Sequence, residues 1–221
     1  QIAGKYEKCF VMPPTLEEAV QLLKKYHFAA VIPGTESGVI AAEQIAHRLG
    51  LPVNNPALLY ARRDKYLMQK ALQEAGLAHI DCVLTEDVET AVQWFKKSGH
   101  RRIIIKPPCS AGTDGVKSCA SEAEIRAYFE HCYLNRYDGI GAFNKALLLQ
   151  PYVEGDELVV NCVSRHGKHV LTDVILYNKV LTSGGVPMYE ASRLIHKLDE
   201  RIQQAVRYTF QVLDALGIQY G

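Results

Sequence analysis

The densest chemical signal in the sequence is one lysine and the loop behind it. Residues 106 to 116 read KPPCSAGTDGV, so Lys106 leaves a β-branched run, Ile103 to Ile105, and small residues follow at once. An ammonium beside Ser110, Ala111, Gly112, Thr113 and Gly115 suits a polyphosphate. The lysine supplies a point charge, and small residues let backbone N–H groups approach phosphate oxygens. No lysine and hydroxyl pair ends the loop as in a P-loop, and its glycines are wrongly spaced for a dinucleotide fingerprint. A classical kinase and a dehydrogenase are thereby disfavoured. An ordinary strand-to-strand turn has the same composition, so the loop alone leaves both readings open. Asp114 is unexplained by phosphate binding, because its charge opposes the ligand unless it points away or caps a turn. A second segment, LLLQPYVEGDELVV at 147 to 160, is an apolar strand, a polar interruption and another apolar strand.

Positioning these residues requires strands that end on the loops and helices that cover the strands. Thr15-x-x-Glu18 is a capping box that starts a helix carrying Leu16, Ala19, Leu22 and Leu23 on one face, towards Tyr26. Phe28 to Ile32 reads as a buried parallel strand stopping at Pro33-Gly34. A helix from Ser37 to Leu49 ends at Gly50. Asp64 caps a third, with Leu67, Met68, Ala71 and Leu72 facing inward and Gly76 stopping it. A short strand at Val83 precedes a helix through Ala91, Trp94 and Phe95, and Arg102 to Lys106 is a strand. Ser121-x-x-Glu124 starts a helix running through Ile125, Phe129, Cys132 and Tyr133 toward Tyr137. Strands are expected at Ala146 to Tyr152, Glu157 to Ser164 and His169 to Tyr177, the last two joined at His166-Gly167. Asp199 to Leu216 is a long amphipathic helix ending in Gly217. The grammar is α/β, turning antiparallel (α+β) toward the C-terminal side.

Composition narrows the classes further. The 221 residues are 48% hydrophobic and 22% charged with a net charge of +1, so disorder is not the default reading and no global field attracts nucleic acid or an anionic membrane. No signal peptide or membrane span is visible, and the chain reads as cytoplasmic. Cys9, Cys82, Cys109, Cys119, Cys132 and Cys162 lie singly, without zinc or redox spacing, and read as free, mostly buried thiols. Cys109 lies where backbone amides could lower a thiol pKa, although an inert thiol is the favoured reading. His166, His169 and His196 read as surface histidines rather than metal ligands, and no metal-ligating residue is assigned.

With RRDKYLMQKALQEAGL at 62 to 77 and VIPGTESGVIAAEQIAHRLGLPVNN at 31 to 55, the order of these four motifs resembles the ATP-grasp superfamily over nearly the whole chain. The resemblance implies a partial pre-ATP-grasp α/β domain at 1–55 and an ATP-grasp domain at 56–221. It also implies ATP as ligand. Lys65 and Lys106 would reach the phosphates, aided by the loop of Ser110, Gly112, Thr113 and Gly115. Gln150 takes a hinge position usually held by Glu, Pro151 offers a carbonyl and Val153 an N–H to adenine, and Glu157 holds the ribose. SAGTDGV with RRDK is most similar to the carboxylate–amine branch that includes L-amino-acid ligases. The implied reaction passes through an acyl phosphate and joins small carboxylates and amines, amino acids among them, with no nucleic-acid or membrane partner. A homodimer is the assembly left open. Tyr177, Tyr189, Arg193 and a Gly184-Gly185 turn fall where such enzymes carry variable, substrate-proximal segments. Magnesium is implied too, its carboxylates expected past Gly221, so the chain reads as a truncated, inactive nucleotide-binding fragment. A biotin carboxylase-like enzyme and a non-catalytic adenine-nucleotide module are the alternatives.

Overall fold

Polar residues placed just ahead of apolar stripes start most of the helices. In the computed structural model, which describes residues 7–132, 134–139, 141–181 and 187–221, Thr15 and Glu18 complete the capping box of α1 (Leu16–Leu23). A short 3-10 turn leads into α2 (Val39–Arg48), and Asp64 accepts from Tyr66 and Leu67 N–H to cap α3 (Lys65–Glu74). Strand β1 (Val83–Thr85) precedes α4 (Val88–Ser98), capped by Asp87. Next come β2 (Ile103–Lys106), β3 (Lys117–Cys119) and α5 (Glu122–His131), the last capped by Ser121. Strands β4 (Arg136–Tyr137) and β5 (Phe143–Asn144) form a small pair. The chain then runs through β6 (Leu147–Pro151), β7 (Glu157–Arg165), β8 (Lys168–Leu181) and β9 (Pro187–Leu194) to α6 (Glu200–Ala215), capped by Asp199.

The larger sheets are four-stranded, in the order β1-β6-β2-β3, and three-stranded, β7-β8-β9, with every described pair antiparallel. Side-chain alternation divides the first sheet into two faces. Ile103, Ile105, Cys119, Leu147 and Leu149 pack against Ala91 and Val92 of α4 and Ile125 of α5, forming the main core. Ile104, Lys106, Leu148 and Gln150 lie on the opposite face, because directly paired residues share a face and Lys106 pairs with Leu148, Ile104 with Gln150. Helix α6 covers the second sheet along β7 and β8 and packs its end on α3 through Leu216, Ala61 and Ala71.

Several expectations need correcting. Residues 28–32 form no strand: Phe28 is 40% and Ile32 82% exposed, and only Val31 packs on the α1–α2 cluster. An apolar run becomes a buried strand only where a neighbour completes its ladder, and among the described residues none lies beside it. Leu67 is exposed, leaving Met68, Ala71 and Leu72 as the inward positions of α3. Helix α5 stops at His131, and Tyr137 lies in a strand paired with Phe143. Strand β9 was not expected. Tyr133 and the Gly184-Gly185 turn lie outside the described residues.

Candidate nucleotide site

Strand β2 delivers Lys106 to the sheet face opposite α4 and α5. Its ammonium makes no hydrogen bond or ion pair with any described residue, and its pKa is lowered to about 8, chiefly by burial and further by the charge of Lys65. Burying an ammonium without a partner is costly, so this one is poised for an anion. Lys65, at the start of α3, is also lowered by burial. Its Nζ donates to the carbonyls of Ser110 at 2.6 Å and Pro108 at 3.3 Å, and Arg63 donates to the Cys109 carbonyl at 2.9 Å. The entry to the loop is therefore clamped by two cations from the α3 N-terminal region.

The loop itself is two overlapping turns. Asp114 N–H reaches the Ala111 carbonyl and Val116 N–H the Thr113 carbonyl, while Gly112, Thr113 and Gly115 have φ of 64°, 64° and 66°. Left-handed backbone suits glycine and is unusual for threonine. The N–H groups of Gly112, Thr113 and Gly115 bond to no described residue, so they remain available to an acceptor. Ser110 is buried with its hydroxyl turned to the Pro107 carbonyl, which leaves its N–H as the part able to contact a ligand. Tyr128 of α5 holds the far end of the loop by donating to the Gly115 carbonyl at 2.5 Å. Asp114 accepts from Gly139 N–H at 2.9 Å, the turned-away role that its charge required. The Cys109 thiol is raised, by burial first and then by Asp64, the opposite of activation, and all six cysteines are free, with Cys119 and Cys132 buried.

Gln150 shares this face with Lys106, two residues along the neighbouring strand. Tyr152 N–H donates to the Arg102 carbonyl, which sets the phase of β6 and turns the Pro151 carbonyl away from β2, beyond the end of β1. Proline is tolerated there because no neighbouring strand asks for its missing N–H. Val153 is 62% exposed in the connection to the second sheet. Glu157 opens β7 and pairs with Lys179 of β8 at 2.5 Å, and the Lys179 ammonium stacks 4.6 Å from the Tyr189 ring. Burial opposes the Lys179 charge, and Glu157 and Tyr189 outweigh it.

No family model matches the chain. A dapdiamide A synthase of Enterobacter agglomerans is 33% identical over 219 residues, 99% of this chain and 51% of that protein. The L-amino acid ligase of Bacillus licheniformis superposes with a TM-score of 0.71 at 16% identity, covering 94% of this chain and 48% of that one. The D-alanine–D-alanine ligase of Bacillus anthracis complexed with ATP gives 0.66 at 17% identity, covering 98% and 69%. This chain has the ATP-grasp fold. It spans about half the length of the dapdiamide synthase it matches.

Within the ATP-grasp fold the structure sets Lys106 and Gln150 on one face of the first sheet, with the 110–115 loop following Lys106 and Lys65 against the loop entry. Glu157 stands apart, on the second sheet with a cation already bound. Sequence reasoning missed Lys179 and Tyr128. A lysine within an apolar strand run gave a usable hint for the first, whereas Tyr128 acts through a contact across 13 residues that no local pattern reveals. His169 is corrected as well: its side chain is 4% exposed, and its ring bridges Ser164 and Asp214 at 2.8 and 3.2 Å. The covering helix α6 buries it, which the sequence of the hairpin alone could not show.

Proposed function

We propose that this chain supplies the adenine-nucleotide site of an ATP-dependent carboxylate–amine ligase, of the kind that joins amino acids. The observation that supports it most directly is the half-buried ammonium of Lys106, unpartnered among the described residues, beside three loop N–H groups that bond to no described residue. In this reading Lys106 pairs with phosphate oxygens and the loop N–H groups add neutral donors. Lys65 adds positive potential while fixing the loop entry. The Pro151 carbonyl and Val153 N–H receive the adenine edge, Gln150 lies beneath it on the same face as Lys106, and Glu157 takes the ribose hydroxyls once Lys179 releases it.

The reaction balances in two steps. A substrate carboxylate oxygen attacks the γ-phosphorus and the bond to the β-phosphate oxygen breaks, giving an acyl phosphate and ADP. The amine nitrogen then attacks the acyl carbon, phosphate leaves, and the nitrogen loses a proton. Positioning and charge neutralisation dominate such transfers. Magnesium would accompany the nucleotide. Among the described residues no group of three or more His, Cys, Asp or Glu side chains is arranged to hold a metal ion, so no step is assigned to one. The test is calorimetric titration of the chain with ATP and adenosine, together with phosphate release by the full polypeptide given ATP and mixed amino acids. Phosphate release that depends on amino acids supports a ligase. Nucleotide binding without it leaves a binding module, and no nucleotide binding defeats the proposal.

A further inference from the structure

An acid inside an anion site needs a physical reason, and Asp114 stands between residues whose N–H groups line the candidate phosphate loop. Gly112, Thr113 and Gly115 lie in the left-handed region, and their amides bond to no described residue. A carboxylate at position 114 repels a polyphosphate, so it weakens the site unless it contributes more by shaping it.

The side chain reaches 25 residues along the sequence, where Asp114 Oδ2 accepts from the Gly139 N–H at 2.9 Å. Gly139 follows Asp138 at the end of β4, and Asp138 keeps that end closed. Its N–H donates to the Ala142 carbonyl, its carbonyl accepts from Gly141 N–H, and its Oδ1 accepts from Ala142 N–H at 2.9 Å. Asn135 N–H donates to the Asn144 carbonyl, and the Tyr137 and Phe143 rings meet at 5.1 Å, so the β4–β5 pair is tied along its length. A Cβ at Gly139 would stand 3.0 Å from Asp114 Oδ2, so glycine is what lets the carboxylate come this close. The next loop residue is held as well, by Tyr128 of α5 donating to the Gly115 carbonyl. Two separate elements therefore fix adjacent residues at the far end of the loop, while Lys65 and Arg63 fix its entry.

Glycines and small residues give a loop little side-chain packing to order it, and gathering its N–H groups on a ligand then costs affinity. We propose, on the nucleotide reading of this loop, that Asp114 is a positioning residue for the triphosphate. Its bond to Gly139 locks the loop to the β4–β5 pair and holds the Gly112, Thr113 and Gly115 N–H groups in place for phosphate oxygens. The acid thereby contributes more than the repulsion it exerts, and the sign of that balance is measurable.

Calorimetric titration of the chain and its variants with ATP and adenosine tests this. Asp114→Ala removes the acceptor and is expected to weaken ATP binding about fivefold, the net value of one hydrogen bond, with adenosine affinity unchanged. Asp114→Asn keeps a side-chain oxygen for the Gly139 N–H and discards the charge, so it is expected to bind ATP at least as tightly as the parent. Gly139→Ala crowds the carboxylate and is expected to lower ATP affinity in the parent but not on top of Asp114→Ala, because both changes break one contact. Tighter ATP binding by Asp114→Ala overturns the proposal, since repulsion then outweighs the lock. So do equal losses for ATP and adenosine, or an Asn variant as weak as the Ala variant. A parent chain that binds no ATP defeats the nucleotide reading itself. A parent that binds ATP and an Asp114→Ala variant that binds it equally well defeat the positioning role alone.

Discussion

Lys106 and Glu157 make opposite claims on the nucleotide and can be separated by ligand. Lys106→Ala is expected to weaken ATP binding by on the order of 2 kcal/mol, the scale of a charge-assisted hydrogen bond, and to leave adenosine binding unchanged in calorimetry. Equal losses for both ligands would make the lysine structural. A pH series sharpens the assignment. In the free protein the Lys106 pKa is about 8, and a bound triphosphate favours the charged form and raises it. ATP affinity is therefore full below pH 8 and falls as pH rises through 8, by up to about tenfold per unit, with no such fall for adenosine or for Lys106→Ala. Glu157→Gln should reduce the affinity for ATP and adenosine alike while the circular dichroism spectrum stays native. A loss confined to the triphosphate would contradict the ribose role.

Elements carry the loop to its ligand. The 110–115 turns are held at one end by Lys65 and Arg63 and at the other by Tyr128, so helix α5 acts on the site through one hydroxyl. Tyr128→Phe keeps the ring that packs on the core and removes the donor to the Gly115 carbonyl. The expected result is a melting temperature within a few degrees of the parent and ATP affinity reduced by about 1 kcal/mol, the net value of one hydrogen bond. Unchanged affinity would mean the loop needs no anchor at Gly115. The caps at Thr15, Asp64 and Ser121 read as the sequence said because each depends on residues within one turn, accepting from N–H groups two or three positions on, and the structure adds caps of the same kind at Asp87 and Asp199.

Across the whole molecule, Arg62 joins pieces far apart in sequence. It donates to Glu43 of α2, to the Asn55 carbonyl and to the Leu216 carbonyl at the end of α6, with side-chain exposures of 5% for Arg62 and 12% for Glu43. Arg62→Leu leaves the nearly buried Glu43 carboxylate with only the Asn54 amide as donor, and removes one donor each from the Leu216 carbonyl and the Asn55 carbonyl, which keeps Leu58 N–H. The expected loss is about 3–5 kcal/mol in urea unfolding, the range for breaking one side of a buried pair. A change under about 1 kcal/mol, the ceiling for an exposed pair, would show that water reaches the cluster freely in solution.

Sequence alone determined whatever is local. Apolar stripes and their caps gave the helices. The Ile103–Ile105 run gave a strand that ends on Lys106, and Leu147–Gln150 and Glu157–Ser164 gave two more separated by a polar connection. The four motifs in order pointed to the ATP-grasp family, a reading the comparisons support. Partners distant in sequence were decided only by the tertiary structure. The 28–32 run has a strand's composition without a neighbouring strand, while β9 gains its place by pairing with β8. His169 is buried because α6 folds over it, and Glu157 meets Lys179 only when β7 and β8 align. Helical hydrogen bonds and caps close within four residues and so leave their pattern in the sequence. Ladders, buried charges and free edges depend on what folds alongside, and that is settled only when the chain packs on itself.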